Sequence, residues 1–173
     1  SSRRAAQQAL MVTALGGLSM LMGIILLGRQ TGAWTFSDIA AYQHFAQTPF
    51  VTVAIVLILV GALTKSAIVP AHFWLPGAMA APTPVSAYLH SAAMVKAGIY
   101  LVARLAPSMY EVATWHVVVI SLGVFTMLLG GWMALKQRDL KLVLAYGTVS
   151  QLGFITSIAA VGSREAMQAA LAL

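Results

Sequence analysis

Ionisable residues embedded in apolar sequence constrain this chain more than any other feature. Lys65, His90 and Lys96 lie between positions 61 and 104, each flanked mainly by small or apolar residues. A charge at the centre of a bilayer costs at least about 2.5–3.5 kcal/mol, so such residues are functional candidates. The stretch therefore predicts a membrane protein in which these three residues conduct protons.

The helix that carries Lys65 is predicted to break before Pro70. The apolar run from Phe50 places Lys65 about 22 Å along a helix. Pro70 has no N–H to donate to the Ser66 carbonyl, and its ring clashes there. Broken helices at membrane depth occur only within protein or beside water-filled cavities. We therefore expect Lys65 to face a cavity; the alternative is a lysine that snorkels at a helix end.

The composition argues against a water-soluble domain and against several kinds of site. Of the 173 residues, 60% are hydrophobic and 8% are charged, whereas soluble domains carry about 25% charged residues. The basic residues behind the net charge of +6 lie at the ends of apolar runs and form no nucleic-acid patch. Cysteine is absent, and the sequence has no phosphate-binding glycine loop, zinc-spaced histidine pair or serine elbow. We expect no metal, no cofactor and no enzymatic activity.

The apolar runs predict an all-α transmembrane bundle of five full spans and the start of a sixth. The spans are predicted at about 10–27, 50–80 (broken), 85–104, 115–135 and 141–162, with the next from 166. The chain begins without methionine and ends inside an apolar run, so we expect it to be a piece of a longer protein.

Basic residues predict the orientation of these spans. If the spans alternate, one side carries Arg3, Arg4, Lys136, Arg138 and Lys141, and the other carries Arg29, Arg104 and Arg164. The first side is expected to be cytoplasmic.

Further polar residues and prolines are candidates for a supporting role. Those near the three ionisable residues are expected to support the site or break a helix: Ser66, Pro70, Pro82, Pro84, Ser86 and Tyr100. Three polar residues of the fifth span are expected to line a hydrophilic path: Tyr146, Ser150 and Gln151. Hydrogen bonds between helices explain the fifth-span residues equally well. A core histidine bonded to a neighbouring helix is likewise the alternative for His90.

No carboxylate is predicted at membrane depth. Asp38, Glu111, Asp139 and Glu165 all fall in loops or at span ends, and Asp139 is placed to cap the following helix. Burial disfavours the charged form of a lysine, and a nearby acid restores it. The acid that pairs with Lys65 is therefore expected outside this sequence, unless Lys65 is often neutral.

A family resemblance is carried by residues 61–104, which read GALTKSAIVPAHFWLPGAMAAPTPVSAYLHSAAMVKAGIYLVAR. They resemble the core of the proton-translocating antiporter-like membrane proteins: the large A subunit of multisubunit Mrp Na+/H+ antiporters and the L, M and N subunits of respiratory complex I. Residues 136–154, KQRDLKLVLAYGTVSQLGF, resemble the next characteristic stretch of those proteins. Within the group, the segment APTPVSAYLHSAAMVKAG is most similar to the Mrp A subunit.

The resemblance implies an inverted-repeat antiporter fold with one broken helix in each repeat. Residues 1–173 would form the central part of the translocation domain of a multi-pass protein in the cell membrane. Lys65 matches the broken-helix lysine, whose partner glutamate would precede Ser1. His90 and Lys96 match residues that link the first half-channel to the second.

The implied function is proton translocation coupled to Na+ in a multisubunit antiporter, with its other subunits and membrane lipid as partners. Three alternatives stay open. The first is a proton-pumping subunit of complex I or a related hydrogenase. The second is a membrane scaffold that transports nothing. The third is a transporter of an organic substrate, which would need a larger polar pocket than these spans offer.

Overall fold

The computed structural model describes residues 2–41, 49–84, 93–107 and 113–161, and all regular elements among them are helical. The predicted all-α class is confirmed. In chain order the helices are α1 Ser2–Thr31, α2 Phe36–Ala41, α3 Pro49–Lys65, the 3₁₀ turn Ala71–Phe73, α4 Trp74–Gly77, the 3₁₀ turn Ala78–Ala80, α5 Ala93–Leu105, α6 Ala113–Leu135 and α7 Leu140–Ala160. Residues 71–80 follow one another without a gap and are called the half-helix below.

Three helices of the described part are long and apolar enough to cross a membrane: Arg3–Thr31 in α1, Trp115–Leu135 in α6 and Leu140–Ala160, which is α7. The helix α3 is apolar but has only 17 residues, because it ends at a break. The predicted span 85–104 lies partly outside the described residues, and the span from 166 lies wholly outside them. The count of five spans and the inverted repeat therefore stay predictions.

The first helix is longer than the apolar run at 10–27. It begins at Ser2 and ends at Thr31, and Arg3, Arg4 and Arg29 are exposed on its end turns. The backbone hydrogen bonds of an α-helix form within the helix in apolar and polar surroundings alike. Polar turns can therefore extend the helix beyond the apolar stretch. The hydropathy pattern predicts the membrane-embedded part of this helix rather than its ends.

Two helix pairs, α1 with α3 and α6 with α7, form the tightest contacts, and glycines allow the close approach. A Cβ at Gly61 of α3 would collide with the Gly16 carbonyl oxygen and with Met20 of α1. Gly123 of α6 and Gly153 of α7 lie against each other in the same way, since a Cβ at Gly153 would lie 2.6 Å from the Gly123 carbonyl oxygen. Small residues bring helices together in this way in membranes. The helix α5 packs against α3 and α7 and so joins the two pairs.

The outer surface of the bundle is apolar, whereas the α6–α7 connection is polar. Large apolar side chains are exposed on α1, α3, α6 and α7, among them Leu10, Val53, Leu128 and Leu144. At the connection, Lys136 Nζ lies 5.0 Å from the centroid of the Trp132 ring. Asp139 accepts a hydrogen bond from the Lys141 N–H at 3.0 Å, which confirms the predicted cap. Such a surface, with Trp and Lys at a helix end, is typical of a membrane-embedded bundle.

Candidate site at the helix break

The predicted break is present, and its hydrogen bonds form a Schellman motif at the end of α3. The helix ends at Lys65. The Ile68 N–H donates to the Leu63 carbonyl at 2.9 Å and the Ala67 N–H donates to the Thr64 carbonyl at 3.2 Å. These are the two bonds by which a Schellman cap closes a helix. The chain therefore leaves the helix before Pro70 is reached, and the proline stands in the loop that follows.

An alanine occupies the left-handed position of this cap. Ala67 has a φ of +52°, and its side chain is fully buried. Glycine is the usual residue at this position, and a left-handed conformation costs other L-residues roughly 1–2 kcal/mol. The surrounding contacts must outweigh that cost, so the break is held by its neighbours as well as by its own sequence.

Two hydrogen bonds, one of them to α6, hold the loop of the break. The buried indole of Trp74, in the half-helix, donates from Nε1 to the Thr64 carbonyl at 3.0 Å. On the other side, the Val69 N–H donates to Thr126 Oγ1 of α6 at 3.0 Å. Thr126 is fully buried, and its hydroxyl in turn donates to the Leu122 carbonyl at 2.6 Å. The Val69 N–H, which the broken helix leaves unpaired, is thereby satisfied inside the bundle, and the Thr64 carbonyl accepts a second hydrogen bond.

Lys65 lies at the C-terminal end of α3 and reaches along α1. It is half-buried, and a Cβ built at Gly17 would lie 3.6 Å from its Cε and 3.9 Å from its Nζ. The negative end of the helix dipole favours a cation there. Of the four acids, only Asp38 and Asp139 fall within the described residues, where both are exposed and neither forms an ion pair with Lys65. Its predicted acidic partner stays a prediction.

The side chain of Ser66, directly after Lys65, packs against α5. Its side chain is 1% exposed, and its Oγ has no hydrogen-bond partner among the described residues. A Cβ at Gly98 of α5 would collide with both this Oγ and the Ala62 carbonyl oxygen. The missing side chain at Gly98 therefore allows α5 to cover the residue next to Lys65. A buried hydroxyl without a protein partner is a place where an ordered water is expected.

His72 is a further candidate for the functional site, although the sequence analysis assigned it no role. It lies in the first turn of the half-helix, is half-buried, and has a buried Nδ1 without a partner among the described residues. Its sequence signal is a titratable residue between the break and the apolar run Phe73 to Leu75. The run from His72 to Pro76 also predicts a short helix that resumes after the break, and the half-helix confirms it.

The remaining predicted residues of the third span are only partly covered by the structure. His90 and Ser86 lie outside the described residues. Lys96 and Tyr100 are exposed, whereas Gly98, between them in sequence, faces α3. Two residues rotate by about 200° around an α-helix, so Lys96 lies on the side of α5 away from the break. The described part of the chain does not bring Lys96 and Lys65 together.

The prolines and the fifth-span residues have distinct surroundings. Pro70, Pro82 and Pro84 are exposed: Pro70 lies in the loop of the break, and the other two follow the half-helix. Ser150 of α7 donates a hydrogen bond from its Oγ to the Met127 carbonyl of α6 at 2.8 Å. Tyr146, also in α7, is half-buried. Gln151 is exposed. The Ser150 hydroxyl thus serves helix packing, and a hydrophilic path through these three residues stays a prediction.

An apolar helical bundle that contains a helix broken at a lysine defines a class of polytopic membrane transport proteins. The chain belongs to the family described as NADH:quinone oxidoreductase/Mrp antiporter, TM, which it matches over residues 1–173. The resemblance seen in the sequence is confirmed, and the chain is part of a multi-pass protein of the cell membrane.

Curated relatives are antiporter subunits. The chain is 47% identical over 171 residues to the A/B subunit of the probable K(+)/H(+) antiporter of Rhizobium meliloti (strain 1021), covering 98% of this chain and 17% of that protein. It is 49% identical over 163 residues to the A subunit of the Na(+)/H(+) antiporter of Bacillus subtilis (strain 168), covering 94% of this chain and 20% of that protein. The chain spans about a fifth of the length of these relatives.

Two solved structures share the fold. The Mrp complex from Dietzia sp. DQ12-45-1b superposes with a TM-score of 0.90 at 45% identity, covering 96% of this chain and 19% of that chain. The membrane-bound sulfane sulfur reductase, described as an archaeal respiratory membrane complex, superposes with a TM-score of 0.86 at 26% identity. That match covers 98% of this chain and 35% of the other.

Proposed function

We propose that this chain is the central part of the translocation domain of the A subunit in an Mrp-type antiporter that exchanges protons for Na+. The observation that carries the proposal is Lys65 at the end of a helix whose break is held from two sides by partly buried hydrogen bonds. Family membership and the antiporter relatives support it. In this function the chain is part of a transporter and not an enzyme, and the other subunits of the complex are its partners.

The proposed mechanism begins with a change in the charge of Lys65. A lysine can release and regain a proton as its surroundings change, whereas an arginine stays charged. We place the partner acid on a part of the full-length protein outside this sequence.

The proposed route continues from the break to α5. Ser66 follows Lys65 directly, and its buried Oγ faces Gly98. A water bound to this hydroxyl would lie between the lysine and the third span. From there, protons would pass to His90 and Lys96 and on to the second half of the transporter. The exposed side of Lys96 and Tyr100 would face that second half in the complete protein.

A second candidate function is a redox-driven proton pump of the complex I type. It is favoured by the structural match to an archaeal respiratory membrane complex and by the quinone oxidoreductases in the family description. The sequence identity of this chain is 26% to that complex and 47–49% to the antiporter subunits. The higher identity favours the antiporter over the redox-driven pump. A scaffold without transport is a third candidate, in which Lys65 would be dispensable.

The test is sodium–proton exchange by the full complex in liposomes without an electron donor. The expected results are that Lys65→Ala abolishes exchange while the complex still assembles, and that Lys65→Arg impairs turnover although its charge is kept. Wild-type exchange in the arginine variant would mean that Lys65 is only a fixed charge. Wild-type exchange in the alanine variant would favour the scaffold, and no exchange even by the wild type would favour the redox-driven pump.

The two residues of the third span can be ranked in the same assay. His90→Ala is expected to reduce exchange less than Lys96→Ala, because water can replace an imidazole in a wet path but cannot carry a fixed positive charge. Normal transport by Lys96→Ala together with loss in His90→Ala would contradict the proposed route.

A further inference from the structure

The hydroxyl of Thr126 in α6 has both of its hydrogen-bonding roles fixed. It donates its one proton to the Leu122 carbonyl of its own helix at 2.6 Å. The oxygen keeps lone pairs that can accept, and the Val69 N–H donates to it at 3.0 Å. Thr126 is fully buried in the bundle. Towards the break, this oxygen therefore acts as an acceptor and as nothing else.

The Val69 N–H depends on this acceptor. In a continuous helix it would donate to the Lys65 carbonyl, four residues earlier, but α3 ends at Lys65. The residue that follows, Pro70, has no N–H of its own. An N–H without a partner is costly inside a membrane protein, where water is scarce. The Thr126 hydroxyl thus supplies the acceptor that the break takes away.

The short segment from Lys65 to Val69 passes a displacement from one end to the other. The three residues between them are each at most 1% exposed: Ser66, Ala67 and Ile68. The two hydrogen bonds of the Schellman motif tie this segment back to the last turn of α3. A closely packed interior transmits strain. The position of Val69 therefore helps to set the position of Lys65.

The other side of Thr126 is held by α7. A Cβ built at Gly153 of α7 would lie 3.1 Å from Thr126 Cβ and 2.6 Å from the backbone nitrogen of Met127. The two helices are thus in close contact at the level of Thr126. The helix pair α6–α7 places this hydroxyl as a unit.

Away from the break, α3 and α6 are separated by a cavity. It has a volume of about 120 Å³, and its lining includes Leu59 and Leu63 of α3 and Val118 and Leu122 of α6. Close packing along the helices does not fix α3 against α6 over this length. The bond from Val69 to Thr126 is therefore a direct link between α6 and the break, beside the indirect one through α5.

We propose that Thr126 is a positioning residue for Lys65, through which the α6–α7 pair sets the place of the lysine at the helix end. Without the hydroxyl, the Val69 N–H has no acceptor and the loop of the break shifts to find one. Lys65 then leaves its place along Gly17 of α1. The proposal rests on the transport role proposed for Lys65, because a displaced lysine alters exchange only if it carries the proton.

The first test compares Thr126→Ser with Thr126→Ala in the full complex in liposomes. The two variants differ by one oxygen, and neither adds atoms to the packed interior. Sodium–proton exchange per assembled complex should be at least about fivefold lower in Thr126→Ala than in Thr126→Ser, the fold-change expected for loss of one hydrogen bond. Equal exchange in the two variants would overturn the proposal.

The matched control is the same pair of substitutions at Thr156. This threonine is also fully buried, and its hydroxyl donates to the Leu152 carbonyl of its own helix at 2.7 Å. Thr156→Ser and Thr156→Ala should exchange at equal rates. A loss in Thr156→Ala as large as that in Thr126→Ala would mean that any buried hydroxyl has this effect, and the proposal would fall.

The second test follows the position of residue 65 without using transport. The 173 residues contain no cysteine, so Lys65→Cys places a single thiol in this part of the complex. Its rate of reaction with a small methanethiosulfonate reagent should change when Thr126→Ala is added and stay the same when Thr126→Ser is added. Equal rates in both backgrounds would overturn the proposal even if exchange fell.

The two tests also separate this proposal from the proposed function. If the thiol at position 65 responds to Thr126→Ala as expected but Lys65→Ala exchanges normally, the transport role of Lys65 fails. The link from Thr126 to residue 65 would then stand as a structural one, and its role in exchange would be refuted.

Discussion

Gly98→Ala tests the contact by which α5 covers the break. The added methyl group would collide with the Ala62 carbonyl oxygen and with Ser66 Oγ, and it would lie 2.9 Å from the Ala62 carbonyl carbon. Ordinary contact begins at 3.4 Å. The helix α5 must therefore move away from α3 by at least about half an ångström, and overpacking of this kind costs about 1–3 kcal/mol. We expect lower stability and weaker ion exchange, because Ser66 loses its position against α5.

The same substitution at Gly147 is the matched control. A Cβ at Gly147 meets nothing within 4 Å, and the residue lies in the interior of α7. Replacing a helical glycine with alanine stabilises a helix by up to about 1 kcal/mol, so the two variants should change stability in opposite directions. The measurement is the temperature at which half of the purified full-length complex loses its assembled form.

A double variant separates the two collisions. Adding Ser66→Ala to Gly98→Ala removes the hydroxyl from the clash but leaves the backbone carbonyl of Ala62, so stability should recover only in part. The reasoning would be refuted if Gly98→Ala and Gly147→Ala had the same midpoint temperature, because α3 and α5 would then not approach each other this closely in the complete protein.

Two further predictions follow from the loop of the break and from the orientation of the chain. Thr126→Val removes the acceptor of the Val69 N–H and should lower the midpoint temperature of the complex by the equivalent of about 1–3 kcal/mol. Thr156→Val, which removes only a bond to its own helix, should cost less; equal losses would contradict the role of Thr126. Cysteines placed at Gln30 and Gln137 should label from opposite faces of the membrane, with the cysteine at 137 accessible from the cytoplasm. Labelling of both from one face would refute the alternation of the spans.

Some features of the site could be predicted because they depend on nearby residues. The break follows from Pro70, which cannot continue a helix. The cap at Asp139 follows from a side chain that reaches an N–H two residues along. The candidate role of Lys65 follows from the cost of placing a charge in apolar surroundings.

Other features could not be predicted because their partners are distant in sequence. The loop of the break is held by Trp74 and by Thr126, and the latter bond joins residues 57 positions apart. Ala67 adopts a left-handed conformation that its residue type disfavours, and only the packing around it can maintain this. Local propensity gives no signal for such a residue.

By itself, the amino-acid sequence determined that the chain is an apolar all-helical membrane protein with a lysine at a broken helix. Hydropathy, proline geometry and the cost of buried charge act over a few turns of helix, so they can be read without coordinates. Only the tertiary structure decided that Gly98 brings α5 onto Ser66, that Lys96 lies on the side of α5 away from the break, and that α3 and α6 leave a cavity between them. These relations depend on how helices rotate and approach one another, which is set by contacts among residues far apart in the chain.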